Sequence, residues 1–504
     1  MSANIPKNDN NNFDPLDMQN YRIEKLPKRT KSKVESFLAT IGGPLAIISF
    51  VLIYFIFKPG FLLNIDSGSL SEYAGNIFRQ IGASEFSRIN IAMLAIFVAG
   101  VLLWMTEAIP NYLTSLLIII ALVLTGVLSE KEAYAQLGHK VMWLNIMSFV
   151  LASMLVKTGL AKRFALWFIL RFGKKSSSIF LSFLLINIVL SAFISATTAK
   201  AAILLPIFMV IAAIYGARGG EKKNNFGRNI VLQNLFYINI GASGFLTGSG
   251  ANLLAAALIT GATGIDIYFT DWMKGNFMVA LLLMFLGYIV ATRIFFPLKK
   301  EERLPQISGG MDRLREELHK LGKMDFQEVK SAILFLKWND VDIPWHLMLF
   351  SAGAYTLGAG FKSTDLPSIS VDAVFDSLGF GANTPFWVLY LALTFAMAFS
   401  ALFFQSKTMR TMIFVPIAIG VANRFGFSVL SLALPVAFLI EHVYMLPFNS
   451  KPAALLYETD QYSLTNTFKF GFTMLVIGWL VNILMGETWY RYLGITPDGV
   501  FGIF

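Results

Sequence analysis

Four cationic side chains interrupt long apolar stretches of the sequence: Lys200, Lys407, Arg410 and Lys451. An unpaired cation at the centre of a bilayer costs from about 3 to more than 10 kcal/mol, so these residues need an anionic partner. Arginine can bind a carboxylate, sulfate or phosphate with two parallel hydrogen bonds, and lysine supplies a point charge. The chemistry that this pattern indicates is the binding of a small anion with at least two negative charges.

Glu441 and His442 lie in another apolar segment, just before a break at Pro447. A buried carboxylate or imidazole can titrate near neutral pH, so Glu441 is a candidate proton carrier or counter-ion. The alternative interpretation is structural. In it the cationic side chains extend from the membrane to water or form fixed ion pairs with Glu441, and His442 is a packed core histidine.

The composition indicates a chain whose solvent is a membrane. Of 504 residues, 56% are hydrophobic and 14% charged, with 46 phenylalanines and a mean hydropathy of +0.62. The apolar runs are about 18 to 22 residues long, which is enough for a helix to cross a bilayer. There is no cysteine, and the four histidines form no metal-binding motif. No motif for an enzyme or for nucleotide binding is found, and the net charge of +10 is concentrated in loops, which argues against nucleic acid.

Two pairs of segments divide the chain into repeats. The apolar runs 178–213 and 385–422 are interrupted by polar and cationic residues, which predicts helical hairpins with polar tips. The runs 229–262 and 428–456 are interrupted by glycine, proline and asparagine, and such breaks are tolerated where they line an enclosed cavity. We therefore predict an all-α polytopic membrane protein with two inverted repeats, re-entrant helical hairpins and interrupted helices, about nine spans plus two hairpins.

Basic residues in the loops set the predicted orientation, with the N-terminus in the cytoplasm and the C-terminus outside a multi-pass cell-membrane protein. The predicted segments are a disordered basic cytoplasmic tail (1–36), the scaffold helices of the first repeat (37–177), the first hairpin with its interrupted helix and following span (178–297), a cytoplasmic linker (298–342), a shortened scaffold of the second repeat (343–384), and the second hairpin with its interrupted helix and last span (385–504).

Several motifs together carry a resemblance to a known family. They are WMTEAIP at Trp104–Pro110, KTGL at Lys157–Leu160, and LGKM at Leu321–Met324 ahead of Glu328 and Lys330. With the paired hairpin tips, they make most of residues 85–486 similar to the divalent anion to sodium symporters, which carry di- and tricarboxylates or sulfate. Glu107, within the first motif, is interpreted as structural. The resemblance implies substrate at the midplane, rigid-body movement of the domain holding both hairpins, and a homodimer.

The tip motifs depart from the family pattern. The family's SNTxT aligns with ATTAK at Ala196–Lys200 and SKTMR at Ser406–Arg410, so Thr197 and Lys407 replace the asparagines that the family uses for sodium and substrate. The family's GTPPN loops align with GSGAN at Gly248–Asn252 and NSKPA at Asn449–Ala453. The substrate-binding residues implied by this alignment are Thr197, Thr198, Lys200, Asn252, Ser406, Lys407, Thr408, Arg410 and Lys451.

These departures favour a site in which the ammonium and guanidinium groups of the protein's own side chains replace bound sodium ions. The leading hypothesis is a secondary active transporter of a small multivalent anion, a di- or tricarboxylate, sulfate or phosphate. It would work by sodium-independent exchange or with proton coupling through an elevator-type movement, with Glu441 and His442 as coupling residues. No cofactor is predicted, and sodium is left open. The alternatives are a sodium-coupled dicarboxylate symporter and a membrane sensor or scaffold that does not transport.

Overall fold

The computed structural model describes most of the chain. The described residues are 14–21, 33–68, 70–106, 108–138, 143, 146, 150, 159–173, 175–217, 219–220, 223–307, 309–323, 345–378, 384–404, 407–447 and 449–503. Ser406, Glu107, Lys157 and the linker residues Glu328 and Lys330 lie outside them, as does most of the predicted span at 142–158.

Helices account for the regular structure of the described residues, and these residues contain no strand. The helices are α1 (Lys33–Val51), α2 (Gly60–Leu63), α3 (Glu72–Ile81), α4 (Ala83–Thr106), α5 (Asn111–Leu124), α6 (Glu130–Ala135), α7 (Leu160–Phe172), α8 (Ser176–Phe193), α9 (Thr197–Ile214), α10 (Asn225–Ser243), α11 (Gly250–Thr263), α12 (Phe269–Ile289), α13 (Gly310–Lys320), α14 (Trp345–Thr364), α15 (Leu366–Leu378), α16 (Phe386–Phe399), α17 (Lys407–Arg424), α18 (Val429–Phe438), α19 (Lys451–Tyr457), α20 (Leu464–Glu487) and α21 (Trp489–Tyr492).

Among the described residues, six helical segments are long and apolar enough to cross a membrane. They are Ser36–Ile56, Ala83–Trp104, Ser176–Phe193, Thr197–Ile214, Phe269–Phe295 and Leu464–Tyr492. Two of the six are the arms of the first hairpin. Four shorter apolar helices are α5, α11, α16 and α18, the last two together with their 3-10 extensions. The prediction of an all-α polytopic membrane protein is confirmed.

The first repeat has a hairpin followed by an interrupted helix. In the hairpin, α8 and α9 are separated by three non-helical residues, of which Ile194 and Ala196 have extended backbone. In the interrupted helix, α10 and α11 are separated by a short 3-10 segment. The Ser249 hydroxyl accepts a hydrogen bond from the Asn252 amide at 3.4 Å and so caps the start of α11. A β-carbon at Gly248 would lie 2.2 Å from the Ala242 carbonyl oxygen, so the break requires glycine there.

The second repeat follows the same order. The arms α16 and α17 form the second hairpin, and a 3-10 segment at Ser400–Leu402 extends the first arm toward the tip. The interrupted helix consists of α18, the 3-10 segment Leu439–Glu441, and α19. Ser450 caps α19 by accepting from the Ala453 amide at 3.3 Å, as Ser249 does in the first repeat. The predicted hairpins and interrupted helices are thus present in both halves.

A close helix crossing joins α11 to α14. A β-carbon at Gly261 of α11 would lie 2.9 Å from the backbone carbonyl carbon of Gly358 in α14. On the other side of α14, a β-carbon at Gly353 would lie 2.4 Å from the Ser115 β-carbon in α5. Because backbone atoms cannot rotate away, α11 and α14 need glycine to approach this closely.

Gly261→Ala is therefore expected to destabilise the protein by about 1–3 kcal/mol, because the added methyl group has only backbone to displace. Gly43→Ala in α1 is the control, since a β-carbon there would meet nothing within 4 Å. Apparent melting temperatures of the two variants in detergent measure the difference. Equal stability of both variants would contradict the close crossing of α11 and α14.

The N-terminal tail is partly ordered, which differs from the predicted disorder. Met18–Tyr21 form a 3-10 helix that packs against α9, and Met18 is 4% exposed. The linker lies on the same end of α9, where the Gln306 amide donates to the Ile214 carbonyl at 2.8 Å. Lys162 forms an ion pair of 3.1 Å with Glu317 in α13. Tail residues 14–21 take a fixed structure because they share this packing surface.

Candidate functional site

The two repeats meet at the carboxylate of Glu441. Glu441 ends the 3-10 segment after α18, and its side chain is fully buried. One carboxylate oxygen accepts a hydrogen bond from the Ser249 hydroxyl of the first repeat, and the other accepts one from the Lys407 ammonium of the second. A single buried anion therefore connects the break of one repeat to the hairpin tip of the other.

Lys407 is the first residue of α17, and Ser249 is the N-cap of α11. Each helix start carries a partial positive charge from its unpaired amide groups, which adds to the ammonium of Lys407. The Lys407 side chain is 14% exposed, so it is the member of the ion pair that open space can reach. A β-carbon at Gly250 would meet nothing within 4 Å, and the first turn of α11 therefore borders open space.

Arg410 lies one turn further along α17 and is fully buried. Its Nε donates to the Ser400 hydroxyl at 2.8 Å and one terminal nitrogen donates to the Ile440 carbonyl at 3.0 Å. The other terminal nitrogen donates to the carbonyls of Met397 and Leu439, the latter at 3.3 Å. The guanidinium is thus directed at protein acceptors. This supports the structural interpretation of Arg410 over the predicted contact with substrate.

Lys200 stands at the matching place in the first hairpin and is also fully buried. Its ammonium donates to the Ser191 hydroxyl of α8 at 2.9 Å, as Arg410 donates to Ser400 in the second hairpin. Within the described part of the chain Lys200 forms no ion pair, although Glu441 and Lys407 are near enough to act on it electrostatically. The hairpins share a cation-to-serine contact, but Arg410 has three further acceptors and Lys200 has none.

Asparagine side chains hold both helix breaks. The Asn252 amide nitrogen donates to the carbonyls of Ala242 and Phe245, at 2.8 and 2.9 Å, and so ties α11 to the end of α10. In the second repeat the Asn449 amide donates to the Ala401 carbonyl at 2.8 Å. Asn252 was expected to bind substrate. Its amide nitrogen is committed to the backbone, while its buried side-chain oxygen has no partner in the described structure.

The other residues predicted to bind substrate or to take part in coupling differ in their exposure. Thr197, Thr198 and Thr408 are partly exposed at the hairpin tips, and Lys451 is exposed at the start of α19. His442 is fully buried, and its ring packs against Phe438 and Tyr444 and close to Gly478. That packing supports the core-histidine interpretation.

Three cations, Lys200, Lys407 and Arg410, surround the single carboxylate of Glu441, which leaves a formal excess of two positive charges. The described residues contain no group of three acidic or histidine side chains that could hold a metal ion. Sodium requires free oxygen ligands, but at the second tip the oxygens of Ser400, Met397, Leu439 and Ile440 accept from Arg410. These residues do not fit a sodium ion.

Sequence reasoning missed Ser249, Ser191, Ser400 and Asn449 as members of this cluster. For Ser249 and Asn449 a signal was their place in the aligned loops GSGAN and NSKPA. The spacing of Ser249 three residues before Asn252, repeated by Ser450 before Ala453, is also typical of a helix N-cap. Ser191 and Ser400 had no signal, because serines inside apolar helices commonly bond their own backbone.

Two membrane-embedded hairpins, two interrupted helices and a buried charge cluster between them define a polytopic membrane transporter and not an enzyme. The chain belongs to the family described as sodium:sulfate symporter transmembrane region, whose model matches residues 83–338 and 332–496. The family assignment confirms the resemblance that the sequence motifs carry.

Two similar proteins of described activity align with a large part of the chain. It is 25% identical over 457 residues to the sodium-dependent dicarboxylate transporter SdcS of Staphylococcus saprophyticus, covering 79% of this chain and 86% of that protein. YflS of Bacillus subtilis, a candidate malate transporter by its description, is 28% identical over 250 residues, 48% of this chain and 50% of that protein. Among solved structures, the Alcanivorax borkumensis YdaH transporter overlaps loosely, with a TM-score of 0.43 and 12% identity over 69% of this chain and 88% of that one.

Proposed function

We propose that this protein is a secondary transporter of a small carboxylate dianion and that it works without sodium. The observation that carries the proposal is the buried cluster of Lys200, Lys407 and Arg410 around one carboxylate. A dianion would neutralise the formal excess of two positive charges, whereas a sodium ion would add to it. The names of the relatives, a dicarboxylate transporter and a malate transporter, support the substrate class.

In this proposal Lys407 binds one carboxylate of the substrate. Its ammonium is the accessible end of the ion pair with Glu441, and Thr408, Thr197 and Thr198 lie partly exposed at the two tips as hydrogen-bond donors. Lys451 faces open space at the break of the second repeat and attracts the anion. Ser406, at the second tip, belongs to the same group on the alignment of the tip motifs. The substrate is not contacted by three of the expected residues, which instead hold the hairpin tips and helix breaks in position: Lys200, Arg410 and Asn252.

The movement that carries the substrate is an elevator-type displacement of both hairpins and both interrupted helices against the remaining helices. Basic residues such as Lys162 and Arg163, in the first turn of α7, support a cytoplasmic N-terminus and a C-terminus outside. The resemblance to the family supports a homodimer. Coupling is by exchange or by protons, a choice supported at the second tip, where the oxygens of Ser400, Met397, Leu439 and Ile440 already accept from Arg410.

The test is uptake of labelled succinate, citrate, sulfate and phosphate into proteoliposomes, with and without sodium and with an inward proton gradient. We expect succinate uptake that does not require sodium. Lys407→Ala should abolish it, and Lys469→Ala, which removes an exposed lysine of α20, should leave it unchanged.

Two other results would contradict the proposal in different ways. Uptake that strictly requires sodium would show a sodium-coupled dicarboxylate symporter in spite of Thr197 and Lys407 at the tips. Absence of flux for every anion, with the protein folded, would favour a sensor or scaffold that does not transport.

A further inference from the structure

The carboxylate of Glu441 occupies the hydrogen-bond donors that an incoming anion would need. Its two oxygens accept from Ser249, the N-cap of α11, and from Lys407, the first residue of α17. A hydroxyl at one helix start and an ammonium at another form an anion site shared by the two repeats. In the described structure that site is filled by a side chain of the protein itself.

We propose that Glu441 is an internal carboxylate that holds this anion site in the empty transporter and takes up one proton when a substrate carboxylate displaces it. The inference rests on the proposed function and adds the coupling step, which is proton symport. It concerns the second repeat alone. Glu441 stands nine residues before the cap Ser450, and the residue nine before the matching cap Ser249 is Ile240, so the first repeat has no equivalent carboxylate.

The exposure of the residues around the site indicates which group an entering anion meets first. Lys407 is 14% exposed and Gly250 borders open space, whereas Glu441 is fully buried behind them. An anion that enters from the open side therefore meets the ammonium first. Once its carboxylate bonds to Lys407 and Ser249, Glu441 remains buried without the two groups that held its charge.

Once displaced, the Glu441 carboxylate has few other groups nearby that could stabilise its negative charge. The charged and titratable groups around it are Lys200 from α9, Lys407 and Arg410 from α17, and His442 and Tyr444 from its own segment. Arg410 is committed to backbone carbonyls, and the Lys200 ammonium is bonded to Ser191 on α8. A buried carboxylate without a partner is costly. The carboxylate therefore binds a proton from water, an O–H bond forms, and its ion pair with Lys407 is broken.

The coupling between proton uptake and succinate binding predicts how the Kd changes with pH. Because the loaded state binds one proton more than the empty state, succinate binding weakens as the pH rises, and the Kd increases by up to about tenfold per pH unit. The measurement is titration calorimetry of purified protein with succinate, at pH values where both succinate carboxylates are ionised. Repeating it in buffers of different ionisation enthalpy gives the number of protons taken up, which should approach one.

Glu441→Gln keeps the shape of the side chain and removes the competing charge. We expect this variant to bind succinate more tightly than the wild type, with no proton uptake and a Kd that does not change with pH. Glu458→Gln, the same change at a partly exposed residue beyond α19, should keep the pH dependence of the wild type.

The outcomes separate this inference from the proposed function. Wild-type binding with a constant Kd and no proton uptake would overturn the inference alone, because Glu441 would then have found another partner, such as Lys200. An unchanged pH slope in Glu441→Gln would also overturn it. No succinate binding by the folded wild type would overturn the proposed function, and the inference with it.

Discussion

Replacement of Arg410 by alanine is expected to destabilise the protein by about 3–5 kcal/mol, because it leaves a cavity in place of a large, fully buried side chain. The substitution removes a guanidinium that donates to the carbonyls of Met397, Leu439 and Ile440. The Met397 carbonyl keeps the Ser400 hydroxyl as a donor and the Leu439 carbonyl keeps the His442 backbone amide, so the Ile440 carbonyl is the one most affected. Each buried carbonyl left without a donor costs about 1–3 kcal/mol. Arg410→Lys should recover only part of the loss, because one ammonium cannot reach acceptors on both 3-10 segments.

The matched control is Lys200→Met in the first hairpin. Lys200 has one hydrogen bond, to Ser191, and no ion pair in the described structure, so loss of its buried charge is expected to be neutral or stabilising. Thermal unfolding in detergent, followed by size-exclusion chromatography, compares the variants. If the Arg410→Ala protein is as stable as the wild type, the structural role of Arg410 is contradicted. Binding of substrate by its guanidinium would then be the favoured interpretation.

Lys407→Gln is expected to cost about 3–5 kcal/mol of stability, because it leaves Glu441 buried and without a cation. It should also reduce succinate transport at least about tenfold through the loss of a charge-assisted hydrogen bond. Pairing it with Glu441→Gln removes the stranded charge, so the double variant should recover most of the stability and none of the transport.

This double-mutant cycle separates folding from transport at one position. Melting temperatures of the two single variants and the double variant give the coupling energy, and uptake into proteoliposomes gives the function. If the double variant is as unstable as Lys407→Gln, the ion pair is not the source of the instability. If it transports succinate at the wild-type rate, Lys407 does not bind substrate.

The repeated architecture could be predicted because it depends on side-chain types along the chain. Polar residues between apolar runs indicate a hairpin tip, and glycine or proline inside an apolar run indicates a break that an enclosed cavity must accommodate. The equivalence of Lys200 and Arg410 followed from counting within the tip motifs. The ion pair between Glu441 and Lys407 was one of two interpretations, because sequence alone does not say which cation a buried carboxylate meets.

The partners of Arg410 could not be predicted, because they are backbone carbonyls. Every residue has a carbonyl, so no residue type marks the ones that a helix break leaves free, such as Leu439 and Ile440. Order in the tail was missed for a similar reason. Residues 14–21 have a composition typical of disorder, and their order depends on tertiary contacts such as the packing of Met18 on α9 and the ion pair of Asp14 with Arg313.

If both hairpins move as proposed, the excess positive charge of the buried cluster makes transport sensitive to membrane voltage. Moving one charge across a potential of 100 mV involves about 2.3 kcal/mol, so an empty carrier with two excess charges works against up to about 5 kcal/mol when it returns toward the positive side. A bound dianion, taken up together with one proton, lowers the excess from two charges to one and so removes about half of that electrical work. Under the proposed elevator-type movement, we therefore expect the empty carrier to rest facing the cytoplasm in a membrane that is negative inside, and we expect exchange of one internal anion for one external anion to be faster than net import.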